Sequence, residues 1–224
     1  MSNAALSSLQ SAADTEPANR KEQQTVAAKA VICAAVIECL DAYGYAETSI
    51  NRIIETAGVS RGALTHHFPS KEALIVETAG RLLTKIMDPD DARRRHRGEK
   101  EADPQAQVAN DLMRQWKRIV NTPAGRAWLE ILTASRTDKA LRAQIGNKLR
   151  DWNDLMNDQV ARSYLPTDAD DDVRTLWTIY RIFMRGMLTH QSFAPEDDHL
   201  EVINRFIDLL APHMQRRPLE DTPR

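Results

Sequence analysis

Thiols are nearly missing from this chain of 224 residues: Cys33 and Cys39 are the only cysteines. Six positions apart on one helical pattern, they cannot meet in a disulfide without breaking that helix, which points to a reducing compartment, the cytoplasm. Long apolar runs are missing too. None approaches the eighteen or so residues that span a bilayer, and the N-terminus lacks a charged region followed by an apolar stretch. No membrane partner is expected. Nor is there an excess of either charge: 30 Lys and Arg stand against 32 Asp and Glu, a net charge of -2. Any nucleic-acid site must therefore be local. The signatures of catalysis are absent as well, with no G-x-S-x-G, no H-E-x-x-H and no phosphate loop. DADDD at 168–172 opens like a calcium loop but lacks its glycine and its twelfth-position glutamate. His66 and His67 are adjacent, so they face different ways on a helix, and no Cys or second His pair sits at ligand spacing. We expect no enzyme, no metal and no cofactor.

Sustained apolar–polar alternation, the mark of a half-buried strand, is also lacking, whereas helical periodicity dominates from Gln23 onward. The expected fold class is all-α. The polar lead at 1–22, whose Ser-Asn-Ala at positions 2 to 4 reads as a cloning remnant, is expected to be disordered. A first helix covers about 21–43; its centre, VICAAVIECL, is apolar almost all round, and Gly44 ends it. Thr48 is the expected N-cap of a second helix that carries Ile50, Ile53, Ile54 and Ala57 at i, i+3, i+4 and i+7. Gly58 stops it. Ser60 can cap a third helix that buries Leu64 and Phe68, and Ser70 a fourth with Leu74, Ile75, Thr78, Leu82 and Ile86 along one stripe. MDPDDARRRHRGEKEADP at 87–104 is rich in proline and in charges of both signs, and reads as a linker loop. Its RRRHR run at 93–97 is a candidate phosphate grip, although charge clusters flanked by acids are more often simply solvated. Five more helices follow: about 105–120, one from Pro123 with Thr122 as cap, 138–164, an eighth to about Gln191, and a ninth at 197–210. A polar tail occupies 213–224.

The stretch TSINRIIETAGVSRGALTHHFPSKEAL, residues 48–74, joins two short helices by a turn containing Gly, the layout of a helix-turn-helix whose second helix enters the major groove. Gly58 suits a turn that needs positive φ, and Ser60 suits an orphan helix start. The wording T-S-I-x-x-I-x-x-x-A-G-V-S-x-G-A-L-x-H-H-F-x-S-K-E-x-L closely resembles the DNA-binding region of the TetR family of bacterial transcriptional regulators. That resemblance covers about the first third of the chain; downstream only helix number and length agree. It implies an all-α homodimer with a three-helix DNA-binding head, here 23–86 including the start of the linking helix, and a helical body at 105–212 that binds a small effector. By position, Arg61, Gly62, Ala63, Thr65 and His66 would lie on the groove-facing side of the third helix, while Thr48, Ser60, His67 and Lys71 would serve the phosphates or the helix start. The family commonly has Tyr where this chain has Thr65, which removes a usual contact.

Two recognition helices related by a dyad read half-sites about 34–36 Å apart, so a homodimer on a palindromic DNA operator is expected. The eighth and ninth helices carry broad apolar stripes, and in the resembled family they pair with their copies as a four-helix-bundle dimer interface. Gly186 would allow close approach, and Ile182 and Leu209, off the main stripes, would face the partner. All four tryptophans fall in the body. Trp116, Trp128, Trp152 and Trp177, with Met113, Met156 and Tyr180, are the candidate walls of a mainly apolar effector cavity, and Arg136 is the candidate polar anchor. The fourth helix, joining head to body, is the expected lever by which an effector releases DNA from a repressor. The competing expectation is an architectural or protein-binding dimer without an effector, which a cavity too small for a ligand, or a body core filled completely by its own side chains, would favour.

Overall fold

The computed structural model describes residues 3–86, 103–191, 193 and 196–218, with side chains from Glu22 onward except at 85, 86, 105, 196 and 197. The linker at 87–104, but for its last two residues, and the RRRHR run lie outside the described residues. The order of elements is α1 (Asn3–Glu47), α2 (Ile50–Ala57), α3 (Arg61–His67), α4 (Lys71–Ile86), α5 (Pro104–Gln115), a π-helical turn (Trp116–Val120), α6 (Pro123–Ala134), α7 (Lys139–Ser163), β1 (Tyr164–Pro166), α8 (Val173–His190), α9 (Glu196–Leu210), a short 3₁₀ turn (Ala211–His213) and β2 (Met214–Arg216). The chain divides into two compact units, Met1–Thr78 and Ala79–Arg224. Among the described residues no helix is long and apolar enough to cross a membrane.

In the first unit α1 packs on α2 and α2 on α3. Ile32, Val36, Cys39 and Leu40 of α1 are buried together with Ile53, Leu64, Phe68, Leu74 and Ile75, as the periodicity requires. α1 takes in the segment before residue 22, whose Ala, Leu, Gln and Glu are good helix formers, and the chain turns at Gly44 at φ 73°. One cap differs from expectation. Ser49, not Thr48, caps α2 by accepting from the Arg52 N–H at 3.2 Å. Thr48 is fully buried, and its backbone N–H and its hydroxyl both donate to the Gly44 carbonyl, at 3.2 and 2.7 Å. Gly58 closes α2 at φ 64°, where its N–H reaches the carbonyls of Glu55 and Ile54.

The core of the second unit joins Val108, Leu112 and Trp116 to Val160, Tyr164, Trp177, Tyr180, Met184, Ile203 and Ile207. Thr122 caps α6 with Pro123 at its first position, Asp138 caps α7 and Asp172 caps α8. Two features depart from the expected all-helical body. The fifth helix does not run evenly to Val120: its last five residues open into a π-helical turn closed by the Asn121 N–H on the Trp116 carbonyl at 2.8 Å. Gly125 lets α6 start hard against that turn, since a Cβ there would collide with the carbonyl oxygens of Ile119 and Val120. The second departure is a small antiparallel pair, Tyr164 opposite Arg216 and Pro166 opposite Met214, formed in part by residues expected to be polar tail. Long-range bonds hold it. Arg216 grips the buried Asp111 carboxylate through Nε at 3.0 Å and Nη2 at 2.7 Å, and the Tyr164 hydroxyl donates to the same carboxylate at 2.8 Å.

Candidate nucleic-acid interface and body cavity

α3 begins because the Ser60 hydroxyl accepts from the Ala63 N–H at 3.1 Å, and it ends at Phe68, whose N–H donates to the Leu64 carbonyl. Leu64 and Phe68 anchor it to the core. Arg61, Gly62, Ala63, Thr65 and His66 are left exposed and His67 half-buried. Within this surface the Arg61 guanidinium donates to the Asn51 side-chain oxygen of α2, which orients a fork-shaped donor able to pair with guanine O6 and N7. A Cβ on Gly62 would meet nothing nearer than the Ser60 hydroxyl at 3.9 Å, so nothing inside the protein demands a glycine there. The Thr65 hydroxyl turns back to the Arg61 carbonyl at 3.0 Å and the Gly62 carbonyl at 3.2 Å, leaving mainly its methyl for an outside contact. The His66 and His67 rings lie 5.1 Å apart and tilted. Among the described residues no group of three His, Cys, Asp or Glu could hold a metal.

Two of the residues expected at phosphates are otherwise engaged. Thr48, being fully buried, has no surface to offer a phosphate, and the exposed hydroxyl at the start of α2 is that of Ser49. Lys71 is half-buried, with Nζ donating to the Tyr45 carbonyl at 3.0 Å and lying 4.4 Å from the centre of the Tyr45 ring. Its charge is thereby held in place at the start of α4.

The body contains a cavity of ≈ 60 Å³. Trp128, Trp152, Met156 and Tyr180, all expected, line it. The Trp128 and Trp152 rings meet at 6.1 Å and 57°. The other four expected wall residues lie elsewhere. Trp116 and Trp177 are buried in the core and Met113 packs against it, because each falls on the inward stripe of its helix. Arg136 is exposed past the end of α6 and does not line this cavity. The residues missed are Gln115, Ile119, Val120, Gly125, Arg181, Arg185 and Leu188. Three of them belong to or border the π-helical turn, whose extra residue per turn re-aims Ile119 and Val120, a common device at functional sites. Arg181 and Arg185 sit one turn apart on α8, on the face that also carries Tyr180 and Leu188. That spacing was a signal available in the sequence. The Tyr180 hydroxyl donates to the Leu112 carbonyl at 2.6 Å, and burial pushes its pKa well above the ordinary phenol value, so it stays a neutral donor.

The model of the family described as bacterial regulatory proteins, tetR family, matches residues 32–78. The chain is similar to the HTH-type transcriptional regulator BetI 2 of Chromohalobacter salexigens, 31% identical over 183 residues that cover 80% of this chain and 86% of that protein. The chain belongs to the TetR family. As a TetR-family protein it is a DNA-binding transcriptional regulator, and not an enzyme. A second relative is the HTH-type transcriptional repressor AcnR of Corynebacterium diphtheriae, 26% identical over 77% of this chain and 83% of that one. Two solved structures share the TetR fold. One is a putative TetR-family regulator from Rhodococcus sp., at TM-score 0.59 and 17% identity, covering 82% of this chain and 98% of its own. The other is a putative regulator from Saccharomonospora viridis in complex with choline, at TM-score 0.58 and 20% identity, covering 82% and 96%.

Proposed function

We propose that this TetR-family protein is a cytoplasmic repressor that binds a palindromic operator as a homodimer and leaves it when a small effector enters the body cavity. The observation that carries the reading is the exposed face of α3, where Arg61, Gly62, Ala63, Thr65 and His66 lie open while Leu64 anchors the helix behind them. Small residues let the backbone come close to base edges, and Arg61 supplies the directional donor. Ser60, His67 and Lys71 serve the phosphates, together with Ser49 in the place first given to Thr48.

Dimerisation runs through α8 and α9. Ile179, Ile182 and Gly186 fall at i, i+3 and i+7 on α8, with the two isoleucines 44% and 62% exposed and nothing within 4 Å of a Cβ at Gly186. Val202 and Leu209, 45% and 58% exposed, make the matching stripe on α9. Exposed apolar side chains at helical spacing are what a helix-pair interface needs. A cavity walled by two tryptophans and a methionine favours an effector-responsive regulator over an architectural dimer.

Selection of bound duplex from a random DNA pool tests the whole reading. Enrichment of a two-fold symmetric site with half-site centres about 34–36 Å apart is expected. Enrichment of no sequence at low ionic strength overturns it. Replacing Ile182 and Leu209 together by Glu should give a monomer in sedimentation and lose the symmetric site; a dimer that persists contradicts the assigned interface.

A further inference from the structure

Two guanidinium groups face an otherwise apolar cavity with no acid to balance them. Arg181 is secured on one side only: its Nη2 donates to the Asn157 side-chain oxygen at 3.2 Å and to the Thr178 hydroxyl at 2.8 Å, both neutral acceptors. Its Nη1 is buried and has no hydrogen-bond partner. Arg185, one turn further along α8, has no side-chain hydrogen bond or ion pair among the described residues. The lining contains no Asp or Glu; its neutral polar groups are the Gln115 amide, the Tyr180 hydroxyl, which donates to the Leu112 carbonyl, and the indole N–H groups of Trp128 and Trp152. A third donor, the indole N–H of Trp152, is likewise buried without a partner.

Charged side chains are seldom buried unless paired, because removal from water disfavours the charged form. The effect is visible on both groups: burial lowers the pKa of Arg181, with repulsion from Arg185 adding to it, and burial alone lowers that of Arg185. A site that gathers two cations with no carboxylate beside them and a spare N–H is complementary to a group that only accepts.

We infer that the effector is a small apolar acid whose carboxylate is received by Arg181 and Arg185 and whose hydrocarbon or aromatic body lies against Trp128, Trp152 and Met156. A carboxylate satisfies a guanidinium fork with two parallel bonds. It also removes the like-charge repulsion one helical turn apart, and in a site of low dielectric that attraction is stronger than at the surface. A neutral carbonyl could accept from the Arg181 Nη1 but would leave both positive charges unbalanced, and a cation would add a third. The cavity is small, ≈ 60 Å³, so only a small ligand body is in question. The inference deepens the effector reading above and rests on it.

The test is calorimetric titration of the full chain, without DNA, against matched probes: phenylacetate and 4-methylpentanoate, their amides, and benzyltrimethylammonium. Each acid should bind at least tenfold more tightly than its amide, and the ammonium should not bind measurably. Arg185→Gln and Arg181→Gln should each bring the acid close to its amide, with acid affinity falling at least tenfold more than amide affinity, and Arg185→Lys should keep part of the preference. Thermal melting of each variant reports that the body is still folded. Amides or the ammonium binding as well as the acids would sink the charge assignment and leave the cavity as an effector site. An acid preference that survives both Gln variants would overturn the roles of the two arginines. If none of the probes binds, the effector cavity itself falls, and the inference with it.

Discussion

Nothing inside the protein demands a glycine at Gly62. Its φ is not in the left-handed region and a Cβ would meet only ordinary contacts, so alanine would fit and would favour the helix by about 0.5–1 kcal/mol. Gly62→Ala should therefore leave the thermal midpoint unchanged or raise it while weakening operator binding, a divergence that melting and band-shift titration together would detect. Its neighbours should separate by the kind of contact each makes. Arg61→Ala is expected to relax base preference at one position at a cost of about 1–3 kcal/mol. Lys71→Ala is expected to weaken all duplexes alike and lower the log-log salt slope by about one. Binding isotherms on single-base operator variants at several salt concentrations distinguish the two; a Lys71 variant with unchanged slope would show that its ammonium serves contacts within the protein and not a phosphate.

Among the elements, the short β1–β2 pair depends on one buried carboxylate. Asp111 is 3% exposed and takes bonds from Arg216 and Tyr164. Arg216→Ala strips it of its closest cation, a change that costs about 3–5 kcal/mol for buried pairs, here toward the lower end because Arg114 stays 3.6 Å away. A fall in thermal midpoint with faster amide exchange at 214–217 is the expected result. This pair also marks how far sequence reasoning reaches. Ser60 and Thr122 were legible as helix caps because a cap is a bond between a side chain and a backbone N–H two or three residues on. Asp111 and Arg216 were not, since 105 positions separate them and neither local pattern records the other. The same limit explains the cavity. Trp128 and Trp152 could be guessed as wall residues from their type, but Trp116 and Trp177 have the same type and fill the core. What sorts them is the angular position of each helix, and the π-helical turn at Trp116–Val120 shifts that angle without any sign in the hydrophobic periodicity.

At the scale of the whole molecule, regulation is a statement about linked equilibria. If the effector lowers operator affinity by about 5–150-fold, the usual range for one coupling free energy, saturating operator must lower effector affinity by the same factor. Measuring both, by titrating effector with and without bound duplex, checks the proposed release; unequal factors would show that the two ligands do not share one equilibrium.

α8 carries much of the body by itself. Trp177, Tyr180, Met184 and Leu188 are buried in the body, Arg181 and Arg185 line the cavity, and Ile179, Ile182 and Gly186 form its exposed apolar edge. Nearly every position from 177 to 188 is thus spoken for by a different neighbour, and little freedom is left for neutral drift. Saturation mutagenesis scored for regulated reporter output should find this twelve-residue stretch the least forgiving in the body, while the solvent-facing side of α7, around Lys148 and Asp151, should accept almost any replacement.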